Sequence, residues 1–218
     1  MLSRAAKAAF YIGAGPLMRI NGVLYRMLRA PRSGHQKAHL GPGQSNYIPG
    51  WINVDANTFT GRCDVWADLR NPLPFRDGTL DAIYSHHVVE HLPSMASHFA
   101  EAHRCLKPGG VYRVAGPNGD SAIRKYLEGE ADWFGDWPDK HRSVGGRMNN
   151  FILCRNEHLA ILTESFLREL LEDAGFNSIE TCDVVRTTTR PDLFADCLAM
   201  EQESDFDAPH TLVLEAKK

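Results

Sequence analysis

The sequence contains no Cys-x-x-Cys pair. Its five cysteines (Cys63, Cys105, Cys154, Cys182 and Cys197) are odd in number and scattered, which argues against a disulfide framework or a cysteine-based zinc site and for a reducing cytosol. No uninterrupted apolar run approaches the ~20 residues that a membrane-spanning helix needs. Internal repeats and low-complexity tracts are also absent. Residues 1–32 carry Arg4, Lys7, Arg19, Arg26, Arg29 and Arg32 and no acid, whereas the remainder holds 18 basic against 27 acidic residues. An acidic body argues against a surface that wraps nucleic acid. The Arg4/Lys7 start is compatible with a secretory signal, but the apolar part after it is weak and no clear small-x-small cleavage site follows.

At 218 residues, 43% hydrophobic and 23% charged, the chain fits one globular domain with a full core and an appendage. The appendage is residues 1–35, basic and amphipathic. Gly13-Ala14-Gly15-Pro16 is expected to interrupt its helical spacing, because proline cannot continue a helix interior. Two readings are open: a helix pair packed on the domain, or a segment (1–32) lying on an anionic membrane surface or partner. The expected location is cytoplasmic, with peripheral contact at the inner membrane surface under the second reading.

Residues 36–218 read as strands separated by helices and loops. Lys37 to Leu40 runs into Gly41-Pro42-Gly43, and a second apolar run, Trp51 to Val54, stops on Asp55. Glycines let backbone approach a ligand without an intervening Cβ, and a strand-end acid can accept two ribose hydroxyls. Cys63 to Leu69 is a third strand ending in Asp68-Leu69. Pro72 and Pro74 make the next stretch a loop. Leu80 to Ser85 is a fourth strand, followed by His86 and His87, and Ser94 to Leu106 has helical spacing. Val111 to Ala115 is a fifth strand leading into Gly116-Pro117-Asn118. Thr163 to Ala174 is an amphipathic helix stopped by Gly175. Phe176–Val185 and His210–Ala216 are the last strands, with Glu201 to Asp207 between them as a solvated loop. Residues 119–162 keep no steady period and hold Trp133, Trp137, His141 and His158; they read as a substrate-side insertion, either a lid or simply a packed excursion. The pattern predicts an α/β, Rossmann-like sandwich with a mostly parallel seven-stranded sheet, the last strand antiparallel. The singled-out residues fall at the carboxyl ends of strands, where ligands bind in such sheets.

These residues resemble a class I S-adenosylmethionine-dependent methyltransferase, most closely the small bacterial predicted methyltransferases of the type 11 group. Five stretches carry the resemblance: Leu40 to Asp55, Asp64 to Leu69, Pro72 to Phe75, Asp81 to Leu92 and Arg104 to Val111. Residues 37–118 are covered densely; residues 1–35 and 119–162 are not. The resemblance implies S-adenosylmethionine as cofactor. Gly41, Pro42 and Gly43 would approach its methionine part, and Asp55 would take both ribose hydroxyls. Asp68 would take the adenine amino group and the Leu69 N–H a ring nitrogen. Ser85 and His86 would line the floor near the sulfonium. The chain departs from the wider superfamily at His39-Leu40, where an acid often stands. It departs again at Ser45 and Asn46, which fill the third glycine position. Asp55 follows Gly43 by twelve positions, whereas a nicotinamide-binding fold expects about 20, so the first helix must be short or replaced by a loop.

Methyl transfer from an activated sulfonium requires alignment, exclusion of water and, for an oxygen acceptor, a general base. Histidine suits that role near neutral pH, and His86 and His87 are the expected catalytic residues. Some class I enzymes, the small-RNA ribose and quinone O-methyltransferases, carry Glu-x-x-Glu-His here and bind a divalent metal. This chain has His87-x-x-Glu90-His91, which would share one helix face, with His141 or His158 as a fourth ligand. The expected state is nonetheless metal-free, with Glu90 capping or pairing and His91 packed. The function expected is methyl transfer to a small-molecule or glycan/lipid-precursor acceptor, without nucleic acid. The alternative is a cofactor-binding but inactive regulatory or partner subunit.

Overall fold

The computed structural model describes residues 4–218; the start of the basic segment, residues 1–3, lies outside the described residues. Seven strands form one sheet: β1 (Lys37–Leu40), β2 (Ile52–Asp55), β3 (Val65–Trp66), β4 (Leu80–His86), β5 (Leu106–Pro117), β6 (Ser178–Cys182) and β7 (Thr211–Lys217). Their spatial order is β3-β2-β1-β4-β5-β7-β6. The pairs β3/β2, β2/β1, β1/β4 and β4/β5 are parallel, and β7 pairs antiparallel with both β5 and β6. The sheet is thus mostly parallel with its last strand reversed. No helix joins β1 to β2; residues 41–51 are a loop.

Helices α1 (Arg4–Leu24), α2 (Met95–Cys105), α3 (Gly119–Glu128), α4 (Val144–Leu153), α5 (Glu164–Asp173) and α6 (Pro191–Leu198) surround the sheet. Strand alternation sends Ile83, Tyr112 and Val114 into the larger core, with Phe99 and Ala102 of α2 and Leu167 and Leu171 of α5. Ala82, Tyr84 and Val111 face the other way, onto Trp51 and onto Leu193 and Phe194 of α6. Helix starts are capped where the sequence supplies an oxygen: Ser94, Asn118, Ser143 and Thr163 each accept a first-turn backbone N–H.

Three expectations are corrected. Pro16 does not interrupt the first helix, which runs unbroken from Arg4 to Leu24 and continues as a π-turn through Arg29. Tertiary contacts carry it past the missing N–H: Met18 is fully buried and the Asn21 amide donates to the Trp66 carbonyl at 2.8 Å. Second, Glu201 to Asp207 is not simply a solvated loop. Glu201 and the side chain of Glu203 are buried, and the unforeseen helix α6 leads into them. Strand alternation puts Arg113, in the middle of β5, on the same face as Val111, the side that α6 covers. There its guanidinium is 2.8 Å from Glu201 and 2.7 Å from Glu215, with none of its side chain exposed. A fully buried cation requires such partners. Third, residues 119–162 are regular, forming α3, α4 and short 3₁₀ turns around a satellite core of Ala122, Phe134 and Ile152.

Candidate active site

The strand order reverses between β1 and β4, since β1 leads to β2 on one side while β4 lies on the other. In open α/β sheets the ligand crevice lies beyond the carboxyl ends of the strands at such a switch point. Gly41, Pro42 and Gly43 leave β1 at its rim. Gly41 has φ +72°, and a Cβ there would meet Val88 at 2.5 Å; Gly43 has φ +61°, and a Cβ there would meet nothing within 4 Å. One glycine is therefore set by packing, and the other faces open space that a ligand can enter.

Asp55 closes this turn. Its two oxygens accept the Gly43 N–H and the Asn57 N–H, each at 2.8 Å, which fixes the carboxylate at the end of β2. The lone pairs left over suit hydroxyl donors. Asn53, two residues earlier, was not singled out from the sequence, yet it builds the loop. Its buried amide receives the Ile48 N–H and donates to the carbonyls of Ile48 and Trp51, while its oxygen lies 3.1 Å from His39 Nδ1. His39 stands where the superfamily often has an acid, and burial lowers its pKa to about 4, so it is a neutral partner within the network. A polar residue in the otherwise apolar run Trp51–Val54 was the available signal.

Asp68 is buried just beyond β3 and held by Arg70, whose Nη2 is 2.7 Å and Nε 2.9 Å from its oxygens. Tyr11 of α1 covers this pair, its ring 3.6 Å from the Arg70 guanidinium carbon. Phe10 packs edge-on against Phe59, and Lys7 is paired with Glu157 at 2.7 Å. Helix α1 therefore bridges the mouth of the crevice. A cavity of about 150 Å³ lies between α1 and residues 67–73, with Asp68 in its wall. Leu69 packs against the core.

Ser85 and His86 end β4 with opposite orientations. The Ser85 hydroxyl is buried and lies 2.8 Å from Tyr112, which in turn contacts His98, so it points away from the crevice. His86 stacks beside Tyr84, and its Nε2 is buried without a partner. Burial lowers its pKa to about 3, with neighbouring His87 adding to the effect. That leaves a neutral imidazole with a buried, unpartnered ring nitrogen. His87 is more exposed and has φ +55°. Its Nδ1 is 3.3 Å from Glu90 and its Nε2 3.4 Å from the Thr211 hydroxyl.

The segment after His87 is not a regular helix: Val89–His91 is a single 3₁₀ turn. Glu90 is fully buried and is paired with His87 rather than capping a helix, and His91 packs on His158 while keeping one side exposed. Burial pushes the Glu90 carboxyl up, and the contacts from His87 and His91 outweigh it, so the net direction is down. His158 packs edge-on against His91 with ring centroids 4.8 Å apart. Glu90, His91 and His158 form a group with metal-ligating spacing. His141 is not part of it and lies beside Gly146 and Arg147. Trp133 stacks on His210 at 4.2 Å, while Trp137 is exposed.

Residues 54–114 match the family model described as a methyltransferase domain. The strand order and this match support a class I S-adenosylmethionine-dependent methyltransferase, with S-adenosylmethionine as the cofactor indicated. Among curated proteins, a probable S-adenosylmethionine-dependent methyltransferase of Mycolicibacterium smegmatis is 32% identical over 112 residues, 51% of this chain and 34% of that protein. A sterol 24-C-methyltransferase of Schizosaccharomyces pombe is 38% identical over 60 residues, 26% of this chain and 16% of that protein. The matched stretches thus span about a third and a sixth of these relatives. Among solved structures, phosphoethanolamine N-methyltransferase 2 of Haemonchus contortus, in complex with S-adenosyl-L-methionine, superposes with TM-score 0.53. Its identity is 12%, over 90% of this chain and 51% of that one. A methyltransferase of Thermotoga maritima described as a possible histamine N-methyltransferase gives TM-score 0.51 and 14% identity, over 98% of this chain and 96% of that one. At such identities the likeness is one of fold.

Proposed function

We propose that the chain transfers the methyl group of S-adenosylmethionine to a small-molecule or glycan/lipid-precursor acceptor. The carrying observation is the convergence of the Gly41–Gly43 turn, Asp55, Asp68 and His86 around the β1/β4 crevice. The residues fit the cofactor: space beside Gly43 is open, Asp55 keeps free lone pairs, and a buried ring nitrogen of His86 lacks a partner. When bound, the cofactor supplies an activated methyl group. In this reading Gly41, Pro42 and Gly43 pass along its methionine part and Asp55 holds the ribose. Asp68 and the Leu69 backbone take the adenine, with Arg70 turning aside. Ser85 contributes backbone to the floor, and His86 orients the donor or acceptor as a hydrogen-bond acceptor. His87, backed by the Glu90 carboxylate, takes the acceptor's proton. Residues 119–162 form the acceptor side, and α1 closes over the donor side.

Titration of the protein with S-adenosylhomocysteine in a calorimeter is expected to show saturable binding at one site. Absence of binding would remove the cofactor reading and both functions built on it. The alternative, an inactive partner subunit, is not favoured, because the glycine turn and both acids are intact. Methyl incorporation from radiolabelled S-adenosylmethionine into cell-extract fractions separates the two.

The outward face of α1 supports a membrane-proximal acceptor. Ile12, Leu17, Ile20, Met27 and Leu28 are all more than half exposed, with Arg19, Arg26 and Arg29 beside them. An apolar stripe flanked by arginines suits the headgroup region of an anionic membrane. Among the described residues no helix is long and apolar enough to cross a membrane. Co-sedimentation with vesicles containing phosphatidylserine is expected, with little on neutral vesicles and a marked loss in Ile20→Glu/Leu28→Glu. Equal binding to both vesicle types, or none, would remove this contact.

A further inference from the structure

Three side chains meet beside the His86/His87 pair with no hydrogen-bond donor between them. Glu90 is fully buried, and neither of its carboxylate oxygens has a hydrogen-bond partner; His87 approaches Oε1 at 3.3 Å without hydrogen-bond alignment. His91 Nδ1 lies 3.0 Å from the Glu157 carbonyl, and His158 Nδ1 lies 2.8 Å from the Ile152 carbonyl. A carbonyl can only accept, so each imidazole carries a proton on Nδ1 and its Nε2 is left to present a lone pair. Nε2 of His91 is 3.9 Å from Glu90 Oε1, and one ligand atom from each of the three residues lies within 4.8 Å of the others. Two imidazole lone pairs and a carboxylate therefore share one space. Acceptors so placed are unfavourable together unless a positive charge joins them. A proton on His91 does not supply it, because 3.9 Å is too long for a hydrogen bond, and His87 approaches only Oε1, at 3.3 Å, which leaves Oε2 without a partner.

We propose that Glu90, His91 and His158 bind a divalent transition-metal ion whose open position takes an oxygen of the methyl acceptor. The metal half of this stands on the three side chains alone; the acceptor half rests on the methyl-transfer reading above. Two nitrogens and one carboxylate oxygen suit zinc and its first-row neighbours rather than calcium or magnesium, which favour all-oxygen shells. Each histidine already has the backing that ligating histidines need, its second nitrogen donating to a backbone carbonyl. The Leu159 N–H donates to the Glu90 carbonyl at 2.7 Å, which pins His158 alongside Glu90. Tetrahedral zinc with bonds of about 2.0–2.1 Å sets its donors roughly 3.3 Å apart, so closure is a contraction within reach of side-chain torsions. His91 is 40% exposed, which leaves a route for the ion and an open coordination position.

Glu90 also lies against Gly116, at the carboxyl end of β5, so the ion would sit beside the methyl-transfer crevice. A hydroxyl bound there loses its proton more readily. The proton passes to His87 or to water, the oxygen forms a C–O bond as the C–S bond breaks, and the products are a methyl ether and neutral S-adenosylhomocysteine.

The test is calorimetric titration of chelator-treated full-length protein with Zn²⁺, with S-adenosylhomocysteine binding measured on the same samples. One ion per chain is expected. His158→Ala and His91→Ala, both outside the main core, should each weaken zinc by about a hundredfold and leave S-adenosylhomocysteine affinity unchanged. Retained S-adenosylhomocysteine binding without zinc binding would overturn the proposal, as would zinc binding equally strong in both variants. Zinc binding that follows the variants, in a protein that binds no S-adenosylhomocysteine, would support the metal half and overturn the acceptor half.

Discussion

Arg113→Met is expected to lower unfolding free energy by at least about 3–5 kcal/mol, the usual result of removing one partner of a buried ion pair. Methionine fills much of the space but leaves two carboxylates without their counter-ion. Glu201 and Glu215 have side chains at most 1% exposed. Burial alone would lower the guanidinium's pKa; the bonds from both glutamates outweigh it, and the net direction is up. Without Arg113 each glutamate still accepts other donors: the Val185 N–H at 2.7 Å for Glu201, and the Thr188 hydroxyl and Thr189 N–H for Glu215. Replacing all three charges by apolar residues should therefore recover only part of the loss, because those donors would be stranded in turn. Chemical denaturation monitored by circular dichroism measures this. A loss below about 1 kcal/mol for Arg113→Met would mean that water reaches the triad.

Asp55→Ala should weaken S-adenosylhomocysteine binding by more than tenfold, which is at least about 1.4 kcal/mol. Two causes act together. The substitution removes the proposed ribose acceptor, and it frees the Gly43 and Asn57 N–H groups that the carboxylate now holds. Asp55→Asn removes less. Its one oxygen can keep one of the two N–H groups while its NH2 faces the other, so a smaller loss of both stability and affinity than in Asp55→Ala is expected. Calorimetric titration of the folded variants decides the matter, and unchanged affinity in Asp55→Ala would assign the ribose to another acid.

Most of the sheet was legible because its strands end on chemically distinctive residues. Gly41–Gly43, Asp55, Asp68 and Ser85-His86 mark four strand ends, and the order of those motifs implies the parallel half of the sheet. The twelve-residue span from Gly43 to Asp55 also implied that the first helix is short or replaced by a loop, and a loop is what joins β1 to β2. What escaped the sequence was long-range. Pro16 breaks an isolated helix, but contacts 45 or more residues away hold α1 together. Arg113 within Val111–Ala115 was the trace of a buried triad; its partners lie 88 and 102 residues further on. Acid-rich Glu201–Asp207 looked solvated because no local pattern shows which acid meets a buried cation. In the site, Asp55 and the glycines were legible as types, whereas the Arg70 clasp on Asp68 and the cover by Tyr11 depend on the fold. His158 is 67 residues from His91 in sequence, so only the return of the chain past Glu157 could bring them side by side.

The position of β7 bears on the order in which the chain can be assembled on the ribosome. Thr211–Lys217 pairs with β5 on one side and β6 on the other. Until those residues emerge, β5 has an open edge and β6 has no neighbour in the sheet. Residues 1–210 can gather the parallel half as synthesis proceeds, yet they carry an unpaired strand edge of the kind that recruits other chains. Closing that edge is a late event joining segments about a hundred residues apart, which slows it. Nascent chains stalled just before Thr211 should therefore be the aggregation-prone ones.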